Sequence, residues 1–141
     1  MTSFSDAFYG GKGLFQIMLQ PLCKKYDLTD SQIAILLFLD DEETGDTATD
    51  IVERLRLRKS VVSMALKDLQ SRDYISAMHH DGNRRSLHLK LKDKALSVVD
   101  EAKNIKLEHE ETLIEGLSKK ETEMLMNCLK KINGNIRKYR K

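Results

Sequence analysis

Cysteine is scarce: Cys23 and Cys128 are the two in 141 residues, far apart in sequence and without a C-x-x-C spacing or histidine-rich neighbours. That excludes a disulfide framework and a zinc knuckle, and reduced thiols are expected. Long apolar runs are missing as well. None approaches the roughly 20 residues that a bilayer crossing requires, and the opening MTSFSDAFYGGKG has neither the basic nor the apolar stretch of a secretory leader. A cytoplasmic location without a membrane partner is the expectation. Net charge is also small, +2 from 24 basic and 22 acidic residues, so bulk electrostatics alone do not point to nucleic acid. No nucleophile, base and orienting group can be assembled from the motifs, which argues against an enzyme; no cofactor is required. With 33% charged and 40% hydrophobic residues, what remains is one ordinary globular domain with a modest core.

The distribution of charge says more than its sum. Between Asp27 and Asp50 stand Asp27, Asp30, Asp40, Asp41, Glu42, Glu43, Asp46 and Asp50 with no Lys or Arg among them. That stretch should face away from phosphates. Between Arg54 and Arg72 the bases Arg54, Arg56, Arg58, Lys59, Lys67 and Arg72 meet Asp68 alone, and Arg84, Arg85, Lys90, Lys92 and Lys94 then meet only Asp93. Two basic segments in an otherwise neutral chain can neutralise two sets of phosphates and release their counterions.

Periodicity places these segments on elements. Phe15, Met18, Leu19, Leu22 and Tyr26 predict an amphipathic helix over 14–26, which Pro21 should kink. Gly10, Gly11 and Gly13 read as a flexible lead-in. They resemble half a phosphate loop, but Asp6 stands where that pattern needs Gly, and Gly13 where it needs Ser or Thr. Thr29 and Gln32 form a capping pair, with Leu28 and Ile33 as a hydrophobic staple, and the helix that follows is apolar from Ile33 to Leu39. Such a helix should form the centre of the core. An acidic turn with Gly45 ends it. Thr47 and Asp50 cap a short helix carrying Ala48, Ile51, Val52 and Leu55; after a tight connection through Arg56 and Leu57, Val62, Ala65, Leu66 and Leu69 mark the inner face of another. Its outer face holds Lys59, Ser60, Val61, Ser63, Met64, Lys67 and Gln70. Residues 74–80 are strand-like, Asp81-Gly82 signals a hairpin, and Leu87, Leu89 and Leu91 alternate inward. Residues 93–116 should be helical through Leu96, Val99, Ala102 and Ile105, and Ser118 with Glu121 caps a last helix whose stripe runs through Leu125, Cys128, Leu129, Ile132, Ile136 and Tyr139. A stripe at each chain end suggests a homodimer built from both termini.

Two helices around a short turn, the second basic and small-polar outside, suit the DNA major groove. The candidate DNA-binding residues are Arg58, Lys59, Ser60, Val61, Ser63, Met64 and Lys67 on that helix, with Arg84 and Arg85 on the hairpin, where a guanidinium can enter the minor groove. Lys59 and Lys67 suit phosphate or guanine, Ser60 and Ser63 phosphate or base edges, and Val61 or Met64 a thymine methyl. The bland alternatives are a solvated helix face and a solubilising hairpin tip. His79, His80 and His88 could gather a metal across the hairpin, but no cysteine or carboxylate stands at ligand spacing and no metal is expected. The cations Lys24 and Lys25 could lower the thiol pKa of Cys23 and make it a redox switch, although a buried structural cysteine is the more common case for both thiols. Met124 and Met126 could line a ligand pocket, though Met is more often core filler.

Leu28-Thr29-Asp30-Ser31-Gln32, Leu57-Arg58-Lys59-Ser60-Val61-Val62-Ser63, and Asn83-Arg84-Arg85 leading into Leu89-Lys90-Leu91 together resemble the MarR (multiple antibiotic resistance regulator) family over essentially the whole chain. The resemblance implies a single domain, 1–141, mainly α with a small β-hairpin wing. A winged helix-turn-helix lobe would occupy 27–92, and a helical dimerisation region 1–26 and 93–141. It further implies a homodimeric repressor on palindromic double-stranded DNA, with recognition helices in successive major grooves and Arg85 in the minor groove. Its effector would be a small aromatic or amphipathic molecule bound between the dimer region and the DNA-binding lobe. This chain departs from the family pattern with Asn83 where an Asp usually precedes the wing arginine, Arg58 where a capping Asp or Ser is common, Asp73 in place of Gly, and Lys92 and Ala95 in place of Thr and Gly. The alternative is a winged-helix module that docks a protein partner rather than DNA.

Overall fold

The computed structural model of the chain describes residues 3–41, 43–80 and 83–139, and the side chains within them except at 80 and 83–86. In chain order the elements are α1 (Phe4–Tyr26), α2 (Asp30–Asp40), α3 (Ala48–Leu55), α4 (Lys59–Ser71), β1 (Ile75–His80), β2 (Asn83–Leu91), α5 (Asp93–Leu113) and α6 (Lys119–Tyr139). They form two compact units, Met1–Leu107 and Glu108–Lys141. Among the described residues no helix is long and apolar enough to cross a membrane.

The first unit is organised around α2. Thr29 accepts from the backbone N–H of Gln32 at 3.1 Å while Gln32 reaches back to the N–H of Thr29 at 2.9 Å, so the predicted capping pair is a complete capping box. Ile33, Ile35 and Leu36 are fully buried and no residue of α2 is exposed, as expected of a helix apolar on every side. Around it one continuous core gathers Leu19 and Leu22 of α1, Ile51 of α3, Val62 and Leu69 of α4, Ile75 of β1, Leu89 of β2 and Ala95, Val98, Val99 and Ala102 of α5. Leu28 and Ile33 are both buried in it.

Three expectations are corrected here. Helix α1 begins ten residues before the predicted Leu14, and the glycines lie inside it. Ser3 and Asp6 form its capping box, and the rings of Phe4 and Phe8 stack at 6.0 Å, which together support the first turns against the unfavourable propensity of Gly10, Gly11 and Gly13. Pro21 lies inside α1, which runs on to Tyr26, between the buried Leu19 and Leu22. In α5 the buried face is Ala95, Val98, Val99 and Ala102; Leu96 points to solvent. Small and β-branched residues thus form the buried face of α5 within the core cluster.

The wing is an antiparallel pair in which Ile75 faces Leu91, Ala77 faces Leu89 and His79 faces Leu87, with an irregularity between His79 and His80. Leu89 is buried and Leu91 partly so, but Leu87 is exposed, against expectation, because the core ends before the strands do. The connection before α3 meets β2 at an isolated bridge: Thr47 pairs with His88, and the N–H of Leu89 donates to the carbonyl of Asp46 at 2.8 Å. Asp81-Gly82, the predicted turn, lies outside the described residues.

In the second unit, Ser118 accepts from the N–H of Glu121 at 3.1 Å and Glu121 accepts from that of Ser118 at 2.9 Å, the predicted start of α6. No residue of α6 is buried. Met124, Met126 and Cys128 are exposed on the single chain, so neither methionine fills its core and this cysteine is not a buried one.

A pH effect follows from α3. Burial would raise the carboxyl pKa of Asp50, but the hydroxyl of Thr47 and the backbone N–H groups of Thr47 and Asp46 outweigh that and hold it below its ordinary value. A depressed folded pKa adds stability above the unfolded value near ~4, and that stability is lost as pH falls through the folded value. Urea midpoints should therefore drop less steeply below pH ~4 in Asp50→Asn than in the unchanged chain. Parallel pH profiles would show that Asp50 contributes no such linkage.

Candidate nucleic-acid interface

Helices α3 and α4 are joined through Arg56, which takes the left-handed conformation (φ 55°) and donates its N–H to the carbonyl of Val52. That single residue turns the chain sharply. Leu57 packs on the core, and Arg58 starts α4 without a side-chain cap, as its departure from the capping Asp or Ser implied. Val62, Ala65 and Leu69 then fix the inner face of α4.

The structure brings the sequence-predicted residues of α4 onto one exposed surface: Arg58, Lys59, Ser60, Val61, Ser63, Met64 and Lys67 all stand in solvent. Met64 is 75% exposed and Val61 39%. For the wing, the backbone of Arg84 and Arg85 belongs to β2, while their side chains lie outside the described residues.

Charge along the basic segments divides in two. Among the described residues, Arg54, Arg56, Arg58, Lys59 and Lys67 join no salt bridge. Three others that the sequence grouped with them are engaged internally. Arg72 pairs with Asp68 and donates to backbone carbonyls of 26 and 27, Lys92 pairs with Asp73 at 2.5 Å, and Lys94 donates to the carbonyl of Arg72 at 2.8 Å beside the Tyr74 ring. The i,i+4 spacing of Asp68 and Arg72 was the available signal for the first of these. On the acidic side, Asp40 pairs with Lys103, and Asp46 stands 2.7 Å from the Nδ1 of His88.

A cavity of about 550 Å³ opens between α3, α4 and the wing. Val52, Val62, Leu66, Ala77, Leu87 and Leu89 give it apolar walls, and Lys59 and Lys67 stand at its border with Ser63 and Gln70. Sequence reasoning did not foresee it, because it assigned Leu87 to a filled core.

Of the three histidines considered for a metal, the side chain of His80 lies outside the described residues. His79 and His88 project from opposite faces of the hairpin, since His88 pairs with Met78 and His79 with Leu87. The thiol of Cys23 is pushed up, first by burial and then by the charge of Asp30. Its lysine neighbours do not lower it; Lys25 turns away to Glu101 at 2.5 Å. A raised thiol pKa disfavours the reactive thiolate.

Comparison with known proteins agrees with this architecture. Residues 26–86 match the model of the MarR family. No curated protein matches the chain. Among solved structures, a MarR-family transcriptional regulator of Listeria monocytogenes complexed with a 26-mer DNA superposes with a TM-score of 0.83 at 19% identity, over 96% of this chain and 90% of that one. MepR of S. aureus in complex with DNA superposes with 0.77 at 23% identity, over 96% and 99%. BpsR of Bordetella bronchiseptica, whose DNA binding is regulated by 6-hydroxynicotinic acid, gives 0.70 at 18% identity, over 89% and 95%. Residues 26–86 thus match the MarR-family model, and the chain has the fold of the solved MarR regulators.

Proposed function

We propose that this chain is a homodimeric, sequence-specific DNA-binding transcriptional regulator, a cytoplasmic repressor of palindromic operators that responds to a small molecule. The observation that carries the reading is the outer face of α4. It presents Lys59 and Lys67 outside any salt bridge among the described residues, two serines, and the exposed apolar side chains of Val61 and Met64. Exposed apolar groups beside unpaired cations serve no packing purpose; they match a groove with phosphates along its edges and thymine methyls on its floor. Arg84 and Arg85 supply the wing contact in this reading. Dimerisation is supported by apolar faces left in solvent on α1, at Phe4, Phe8, Tyr9 and Ile17, and on α6, at Leu125, Ile136 and Tyr139. The cavity beside α4 supports a small aromatic acid as the effector, because its walls are apolar and two lysines stand at its border. An effector acts only through different affinities for two states of the protein.

Selection of duplexes from a random pool at two salt concentrations tests the function. A recovered palindrome with half-sites about 10 bp apart is expected, and Arg85→Ala should lose preference at the flanking positions. Binding that salt abolishes without any sequence preference would move the function to docking of an acidic protein partner.

A further inference from the structure

The C-terminal end of α4 is held by a polar corner that uses none of its outer face. Arg72, which closes the helix, donates from Nη1 to the carbonyl of Asp27 at 2.7 Å and from Nη2 to the carbonyl of Tyr26 at 2.9 Å. These are terminal carbonyls of α1, at the negative end of its dipole, where a donating cation is favoured. One turn back, a single oxygen of Asp68 accepts from Arg72 at 3.3 Å and from Nε2 of Gln32 at 2.6 Å. Gln32 is the buried polar residue of the core, and its other amide atom is spent in the capping box of α2. So α4 is bonded through two side chains to the end of α1 and the start of α2, while its own first turn has no side-chain cap. Lys67 adjoins Asp68 and Met64 lies one turn before it, which places the polar corner and the outer face on the same turn of helix.

We propose that Arg72, Asp68 and Gln32 are positioning residues for DNA reading. They fix the rotation and tilt of α4 against α1 and α2, and hence which base edges its outer face meets, without touching DNA themselves. The proposal rests on the DNA-binding reading above. Base-edge hydrogen bonds form only within a few tenths of an ångström of ideal reach, whereas phosphate attraction is long-ranged and carries no sequence information. Loosening the corner therefore removes discrimination before it removes binding.

The test measures Arg72→Gln against the unchanged chain on its selected duplex and on a scrambled duplex of equal length, across a salt series, with folding monitored by circular dichroism. Affinity for the selected duplex should fall about 10-fold, the effect of one mismatched base pair. Affinity for the scrambled duplex should stay within about 2-fold with an unchanged salt slope, since no phosphate contact is lost. Arg72→Lys, keeping the charge and one bond, should recover part of the discrimination. Equal losses on both duplexes with a slope lowered by about 1 would make Arg72 a phosphate contact, and unchanged discrimination would make it a helix cap alone; either result overturns the proposal. Should Arg72→Gln fail to fold, Asp68→Asn is read on the same scale, because it keeps an acceptor for Gln32 and gives up only the charge facing Arg72. If the unchanged chain itself prefers no duplex, the DNA-binding reading falls and the positioning role with it. If it discriminates and the variants do too, only the positioning role falls.

Discussion

Replacing Lys59 and Lys67 together by alanine should weaken binding to duplex DNA on the order of 10- to 100-fold near physiological salt and lower the slope of log affinity against log salt by about 2. Both ammonium groups stand in solvent and neither is in a salt bridge among the described residues, so folding does not depend on them and thermal stability should be unchanged. Counterion release gives the effect its signature. Each neutralised phosphate contributes nearly one unit of slope, so a double variant that loses affinity at constant slope would place the lysines on bases instead. Unchanged affinity would remove α4 from the interface and with it the reading of function.

The second large effect is on stability. Leu36 is fully buried at the middle of α2, the helix around which α1, α3, α4, the wing and α5 gather, so Leu36→Ala leaves a cavity that no surface side chain can fill. A loss of about 2–5 kcal/mol is expected, out of a total on the order of 5–15 for a domain of this kind. Guanidinium unfolding followed by circular dichroism measures it. A loss under about 1 kcal/mol would mean that the neighbours of α2 can close over the gap and that α2 is not the rigid centre described above.

What the amino-acid order made legible was local. Thr29 with Gln32, Thr47 with Asp50, and Ser118 with Glu121 each satisfy backbone donors within one turn, so four residues are enough to read them. The outer face of α4 was legible for a similar reason, since helical period alone separates Val62, Ala65 and Leu69 from Lys59, Ser63 and Lys67. Where several elements meet, the reading failed. Leu96 has the hydrophobicity of a core residue, but Ala95, Val98 and Val99 form the buried face of α5 and Leu96 lies off it. Cys23 has lysines beside it in sequence, yet burial and Asp30 set its acidity. Arg72 was grouped with the phosphate-binding cations although its guanidinium is occupied by two carbonyls 45 and 46 positions away. The start of α1 was missed for another reason. Ser3 with Asp6 is the same signal as the other caps, but the three glycines were given more weight. Asp73 shows a departure from family pattern in physical form: it holds φ at 68°, a conformation that glycine adopts without cost, and it anchors Lys92 from there.

The seam between Thr47 and β2 bears on the order in which the molecule assembles. Asp46 and His88 are 42 positions apart, so the bridge between this connection and β2 exists only after the intervening chain has been brought back on itself, with α3 and α4 inside the closed loop. Loop-closure entropy makes such a contact late, whereas the capped helices form from neighbours. The β1–β2 hairpin therefore acquires this support after the capped helices have formed, and amide protons along its seam should exchange before those of α2. A substitution in the acidic connection near Asp46, outside the basic segments of the chain, would be felt first as a wing that closes more slowly.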